Sequence, residues 1–286
     1  RHGFLGGQTM ADTTKRLIRF TPIQRLWHLG LIFIFILMTV TGFAWMYVET
    51  HWGQTLASWF GGIKETVEIH KIAGLVLLAG FVLHILYALC RVDWSKFPGS
   101  LYSPDLLMMG IRDFGKMIQH MGWTIGLCKA PRFERWAWWE KFDYWAVWWG
   151  FTITGITGLM LYNPVLTSDY MPGWMLNLAL WIHRIEAVLA IGHVFTIHFL
   201  MAHMRPGTVP FNGAMFDGTI TMSEARHDHP EWVARLEKNG ELEAMSVPEP
   251  SVPLRVLYFG VGYIIMAFAV TLLAFAVINI TAVTLL

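Results

Sequence analysis

The sequence predicts an all-α integral membrane protein, a bundle of four spanning helices followed by a fifth, C-terminal transmembrane helix. Three observations carry that expectation. Of the 286 side chains 55% are hydrophobic and only 14% charged, whereas soluble domains average about 25% charged. The charged residues are placed so that five long runs are left apolar, and Lys and Arg gather on alternate connections between those runs. Glycine (26) and proline (12) are near ordinary abundance, which excludes fibrous and low-complexity classes. A net charge of +1 gives no electrostatic reason to expect nucleic acid as a partner.

A spanning helix needs roughly 20 apolar residues. The first run lies between Arg25 and Glu49, and the second between Lys71 and Arg91. The third follows Asp143 and stops at Asn163-Pro164. The fourth extends from about Pro172 to Met204, interrupted only by Arg184 and Glu186, and the fifth from Val256 onward is the most uniformly apolar. The expected organisation is an N-terminal segment 1–22, a four-helix domain 23–204 with a loop 91–141, a second loop 205–253 with a short helix, and the fifth helix 254–286.

Orientation follows from the cations. Lys15, Arg16, Arg19 and Arg25 precede the first run, eight Lys and Arg from Arg91 to Lys141 follow the second, and Arg205, Arg226, Arg235, Lys238 and Arg255 follow the fourth. The first of the other connections has only Lys64 before Lys71, and Asn163–Ile182 has none. The N-terminus is therefore expected in the cytoplasm and the C-terminus outside. Residues 1–19 lack an apolar stretch and the first run lacks a small-residue cleavage site, so no cleavable signal peptide is expected. Met10 as initiator and trimming of a longer chain are the two readings of a sequence that opens on Arg1.

In the loops, Ser103–Met121 reads as an amphipathic interfacial helix and Ser223–Asn239 as a soluble helix. Trp136, Trp138, Trp139, Trp145, Trp148 and Trp149 straddle the start of the third run and read as an interfacial aromatic belt. No internal repeat of a transporter kind is evident.

Histidine is costly in a bilayer and marks function by default. His28, His70, His84, His183, His193, His198 and His203 fall within or beside the runs. His70 and His84 are 14 residues apart, a rise of about 21 Å and a rotation of roughly −40°, so they share a face. His183 and His198 are 15 apart, about 22 Å and roughly +60°, again on one side. His193 and His203 lie about 140° from His198 and are read as packing. Both helices run the same way, so His70 and His183 form an outer layer. His84 and His198 form an inner one, at the depth of His28. Two imidazole layers about 20 Å apart suit two haems, whose irons take axial imidazole. The four-helix bundle thus reads as haem-binding. Cys90 and Cys128 make no CxxCH motif, which excludes covalently attached haem.

Lys71 beside His70, Arg184 beside His183 and Arg25 near His28 are candidate partners for haem propionates. Gly42, Gly74, Gly155 and Gly158 would let a flat macrocycle approach the backbone. Glu186, one turn after His183, is a candidate for proton handling, the alternative being an ion pair with Arg184 or Lys71. His227 and His229 lack a partner Cys or second His pair for zinc and read as solvated surface.

These segments resemble the di-haem cytochrome b subunits of membrane-bound oxidoreductases: the formate dehydrogenase gamma subunit, nickel–iron hydrogenase cytochrome b and thiosulfate reductase cytochrome b. The resemblance rests on QRLWHLGLIFIFILMTVTGF around His28, EIHKIAGLVLL around His70, WIHRIEAVLAIGHVFTIHF around His183 and His198, and ARHDHPEWVARLEK, over roughly residues 19–240. The FVLHILY segment is also similar to a subgroup that accompanies multihaem c cytochromes. The resemblance implies two b haems in a bacterial or archaeal cytoplasmic membrane. His70 and His183 would hold the outer haem, and His198 the inner one with His28 as its mate. His84 departs from the gamma-subunit pattern and competes for that inner position. The spacing of 15 between His183 and His198 is one longer than in the gamma subunit.

What the resemblance implies is electron transfer between the membrane quinone pool (menaquinone or ubiquinone) and a partner at the outer face. That partner would be a multihaem cytochrome c, an iron–sulfur subunit or a molybdenum oxidoreductase subunit, with quinone and membrane lipid as the other partners. Two rival readings are a haem-free membrane anchor, whose histidines merely tie helices together, and a histidine-lined metal-ion transporter.

Overall fold

The computed structural model describes residues 15–205, 208–209 and 211–283; Met10 and the start of the N-terminal segment lie outside the described residues, as do the last three residues of the fifth run. Among the described residues four helices are long and apolar enough to cross a membrane. They are α1 (Pro22–Met46), α3 (Ile63–Cys90), the continuous helix Gly173–His203 and α12 (Val252–Ile278). The third predicted run lies in α5 (Trp138–Tyr162), which at 25 residues is as long as α1. Its tryptophans, threonines and glycines lower its hydropathy and keep it outside that composition test. Between α1 and α3 lies the short α2 (His51–Ser58).

The chain divides into two compact units, one comprising residues up to His28, Val92–Tyr144 and Met201–Gly262, the other Leu29–Arg91, Trp145–Leu200 and Tyr263 onward. In the first unit the sequence expectations need correction. Its N-terminal segment forms β1 (Lys15–Ile18), the centre of a three-stranded antiparallel sheet in the order β2-β1-β3, with β2 at Thr219–Thr221 and β3 at Ser246–Pro248. Strands of three and four residues are too short to display alternation. The expected helix Ser103–Met121 begins later, as α4 (Ile111–Thr124), because Gly99–Tyr102 closes a tight turn upstream and Asp113 accepts from the Gly110 amide to start the helix. The helix expected over Ser223–Asn239 is two helices, α10 (Met222–Asp228) and α11 (Pro230–Asn239). Pro230 enforces the break, since the residue before a proline is driven out of helical backbone, and His229 sits there at φ −128°, ψ 50°.

That break turns His229 inward. Only 1% exposed, it is a core residue and not the solvated one its polar neighbours suggest. Its Nδ1 donates to the Glu134 carbonyl at 2.8 Å, and its Nε2 accepts from Arg19 at 2.8 Å. Arg19, 3% exposed, donates also to the Arg135 carbonyl and to Glu140, both at 2.8 Å, and lies over the Trp136 ring at 5.0 Å. Trp136 is buried beneath Arg19 and Trp139 in a separate cluster with Phe133 and Ala137, so neither stands in an exposed belt; Trp149 is exposed, as a belt requires. Trp232, Leu17, Ile220 and Leu236 complete the apolar core beneath the sheet.

Burial first, and the Arg19 charge second, hold the His229 pKa down at about 4, from an ordinary 6.5. The folded protein therefore keeps His229 neutral, while the unfolded chain takes up a proton once the pH falls below 6.5. Stability falls with pH between 6.5 and about 4 and levels off below, a loss of about 3 kcal/mol. Urea unfolding in detergent micelles, followed across this range by near-ultraviolet circular dichroism, should show that slope. His229→Ala should remove it while lowering stability at neutral pH.

Candidate functional site

Four helices of the second unit carry His70, His84 and His183 and what surrounds them: α1 beyond His28, α3, α5 beyond Tyr144 and α7 (Gly173–Gly192). The structure brings His70 of α3 and His183 of α7 together, their ring centroids 6.5 Å apart and their planes at 78°. The same local arrangement positions both rings. Thr41 of α1 meets His70 Nδ1 at 2.8 Å, and Thr157 of α5 meets His183 Nδ1 at 3.0 Å. Each threonine hydroxyl already donates its hydrogen one turn back, Thr41 to the Leu37 carbonyl and Thr157 to the Ile153 carbonyl, both at 2.7 Å. A hydroxyl has one hydrogen to give, so toward the ring it accepts. Nδ1 therefore carries the proton in each imidazole, and Nε2 keeps its lone pair, the form that ligates a metal.

The next residue completes each cradle. A Cβ on Gly42 would stand 3.5 Å from His70 Cε1, and one on Gly158 would stand 3.3 Å from His183 Cε1. At Gly158 the ring edge leaves a Cβ less than ordinary room, and at Gly42 a Cβ would make ordinary van der Waals contact with the ring. The other two glycines singled out in the sequence serve helix contacts, Gly74 against Met38 and Gly155 against Leu78. An iron between two imidazoles, with metal–nitrogen bonds of about 2 Å, sets ring centroids about 6 Å apart. The spacing, the tautomers and the missing Cβ atoms therefore fit a bis-histidine haem.

His198 closes a π-helical segment, His193–His198, which joins α7 to α8 (Phe199–His203). A regular helix would place His198 roughly +60° from His183; one turn of π-helix absorbs one extra residue, so the offset becomes that of 14 helical residues, about −40°. That equals the offset between His70 and His84, and the expectation from regular geometry is corrected accordingly. Phe195 within the segment is buried against Phe35 and Phe199.

His84 of α3 packs edge-on to Trp148 at 6.1 Å and beside Tyr87 at 6.4 Å. His28 is half-buried on α1, within the first unit. Lys71 pairs with Glu68 at 3.3 Å and lies 5.8 Å from the Tyr162 ring centre. Arg25 donates to the Phe216 carbonyl at 2.9 Å. Arg184 and Glu186 are half-buried on α7, and Glu186 turns its carboxylate toward Gly150 of α5. His203 stacks on Phe211 at 4.3 Å, the packing role expected of it. Among the described residues no cluster of three or more His, Cys, Asp or Glu is arranged to hold a metal ion by itself.

The family model for prokaryotic cytochrome b561 matches residues 19–208. The chain belongs to that family. As a cytochrome b it is a haem b membrane protein of electron transport. It is similar to the cytochrome b556(Fdn) subunit of the nitrate-inducible formate dehydrogenase of Escherichia coli K12, with 22% identity over 79% of this chain and 94% of that one. The cytochrome b556(fdo) subunit of formate dehydrogenase from the same strain is 22% identical over 80% of this chain and 97% of its own length.

Thr41 and Thr157 are the site residues that the histidine pattern did not reveal. Their signal is a Thr-Gly doublet, Thr41-Gly42 and Thr157-Gly158, each on the long helix preceding that of its histidine. Replacing Gly158 or Gly42 of this cytochrome b by Val forces a branched side chain against a histidine ring, and an overpacking cost of about 1.4 kcal/mol lowers haem retention about tenfold. Gly30→Val, at a position open to space, should retain full haem content in the same pyridine haemochrome assay.

Proposed function

We propose that this cytochrome b carries two b haems in two layers and passes electrons across the membrane between the quinone pool and a redox partner at the outer face. The observation that carries the reading is the pair of Thr-braced histidines, His70 and His183, whose Nε2 lone pairs and 6.5 Å ring separation suit one iron between them. His198 holds the inner haem, with His28 as its mate and His84 as the competing ligand at the same depth. The shared −40° offset in α3 and in the π-adjusted fourth span supports a second layer on the same faces as the first.

A haem with two axial imidazoles supplies a one-electron couple and binds no exogenous ligand. The chain's residues do the rest. Lys71 and Arg184 place positive charge beside the outer histidines, and Arg25 beside the inner layer, where anionic propionates need it. Glu186 handles a proton inside the membrane, coupled to quinone chemistry with menaquinone or ubiquinone toward the cytoplasmic side. The distribution of Lys and Arg supports a cytoplasmic N-terminus and an external C-terminus. The two relatives are subunits of formate dehydrogenases, which favours a place in an oxidoreductase complex. Its electron partner is then an iron–sulfur, molybdenum or multihaem c-type subunit.

Purified protein should show b-type bands on dithionite reduction and two haems per chain. His70→Ala and His183→Ala should each lose one of the two; full haem content in both sinks the outer pair. With His28→Ala and His84→Ala compared side by side, only the true inner ligand should lose a low-spin resonance signal.

A further inference from the structure

We infer that α4 is an interfacial anchor whose apolar stripe sits in the headgroup–acyl boundary of an anionic membrane leaflet. At 100° per residue Ile111, Phe114, Ile118, Met121 and Ile125 fall within about 80° of one another. All five are exposed, Ile111 at 92% and Ile118 at 66%. Asp113, Lys116 and His120 lie on the opposite side and are engaged within their own unit. Asp113 accepts from Lys141 at 3.0 Å, Lys116 pairs with Glu231 at 2.7 Å, and His120 Nδ1 accepts the Trp138 indole N–H at 3.2 Å. This reverses the usual order of an amphipathic helix on a soluble protein, which turns its apolar face to the core.

The position of α4 identifies the medium that the stripe meets. Its His120 ring packs on Trp139 at 5.3 Å, at the start of α5. Met201, in the last turns of the Gly173–His203 span, packs on the same cluster of Phe133, Ala137 and Trp139. The helix is thus fixed beside the end of an apolar span, which is where a bilayer boundary lies. Arg112 and Lys129 are exposed on this segment, while Asp113 is neutralised by Lys141 on the inner side. The exposed charge of the segment is therefore positive, with Arg112 flanking the stripe on the polar face, as attraction to anionic lipid headgroups requires.

The test uses the full chain in vesicles of phosphatidylethanolamine with phosphatidylglycerol. A nitroxide is placed by Ile118→Cys, Met121→Cys or Ile125→Cys on a background of Cys90→Ser and Cys128→Ser. Collision with oxygen should exceed collision with a water-soluble nickel chelate several-fold at all three positions. The preference should weaken when phosphatidylcholine replaces phosphatidylglycerol or when Arg112→Glu and Lys129→Glu are introduced. Access by nickel overturns the anchor, and so does exclusion of both reagents, which means a second copy or another protein covers the stripe. A preference indifferent to lipid charge overturns the anionic headgroup.

A separate observation carries a second inference: Thr41 and Thr157 are positioning residues that set the potential of the outer haem. It rests on the proposed ligation by His70 and His183. A hydroxyl that accepts the Nδ1 proton strengthens the donor character of Nε2 and favours ferric over ferrous iron. In the protein that retains the outer haem, Thr41→Val and Thr157→Val should raise the midpoint potential, a tenfold change in the ferric–ferrous ratio being about 59 mV for one electron. Thr→Ser at either position should restore it. Unchanged potential in both Val variants with haem retained overturns this inference alone. Full haem content in His70→Ala and His183→Ala overturns the ligation beneath it.

Discussion

An imidazole inside an apolar helix has two nitrogens and no water to satisfy them, and the membrane part of this cytochrome b depends on how that need is met. A buried polar nitrogen without a partner costs about 1–3 kcal/mol. Here one nitrogen of each outer histidine is satisfied by a threonine whose own hydrogen is already committed one turn back along its helix. The arrangement needs no further side chain. It fixes the tautomer and brings the ring close to the threonine's helix, where the following residue is glycine. Thr-Gly on α1 against His70 of α3, and Thr-Gly on α5 against His183 of α7, are therefore two applications of one solution. The pairing of α1 with α3 and of α5 with α7 follows from it.

Most of the helical framework was legible because charge is excluded from a bilayer whatever the packing. The gaps between Arg25 and Glu49, and between Lys71 and Arg91, mark spans by energetics alone, and α1 and α3 lie where those gaps are. The facing of His70 and His84 was legible for the same reason that helical arithmetic works in a regular helix. It failed for His198 because the arithmetic assumes 3.6 residues per turn, and His193–His198 does not keep that period. Thr196 donates to the Gly192 carbonyl within this stretch, and neither residue type announces a π-turn. The threonine braces were invisible for a different reason. A hydroxyl 29 or 26 residues from its imidazole meets it only through the register between two helices, which no local pattern encodes.

His229 shows the opposite failure. Its neighbours Asp228, Arg226 and Glu231 are those of a solvated segment, yet the proline after it bends the chain and carries the ring into the core. Local polarity predicted exposure; one backbone constraint decided burial. The sheet likewise escaped notice because its strands come from residues some 200 positions apart, with Leu17 opposite Ile220 and also opposite Ser246.

Burying Arg19 is expensive unless its charge is met; its Nε has no hydrogen-bond partner, and the two terminal nitrogens contain the expense. One guanidinium nitrogen reaches His229, the other reaches both Glu140 and the Arg135 carbonyl, and Arg135 returns a bond to the Arg19 carbonyl at 2.6 Å. A planar fork can serve three acceptors lying in different directions while its face rests on Trp136. An ammonium group, a compact point charge, could not keep all of these. Arg19 stands three residues before α1, Glu140 stands in the first turn of α5 and His229 stands at the junction of α10 and α11. A single buried side chain thus holds together three chain segments that no backbone connection brings adjacent. The neutral state of His229 is a condition of that junction, because a protonated ring at 2.8 Å would set a second cation against Arg19.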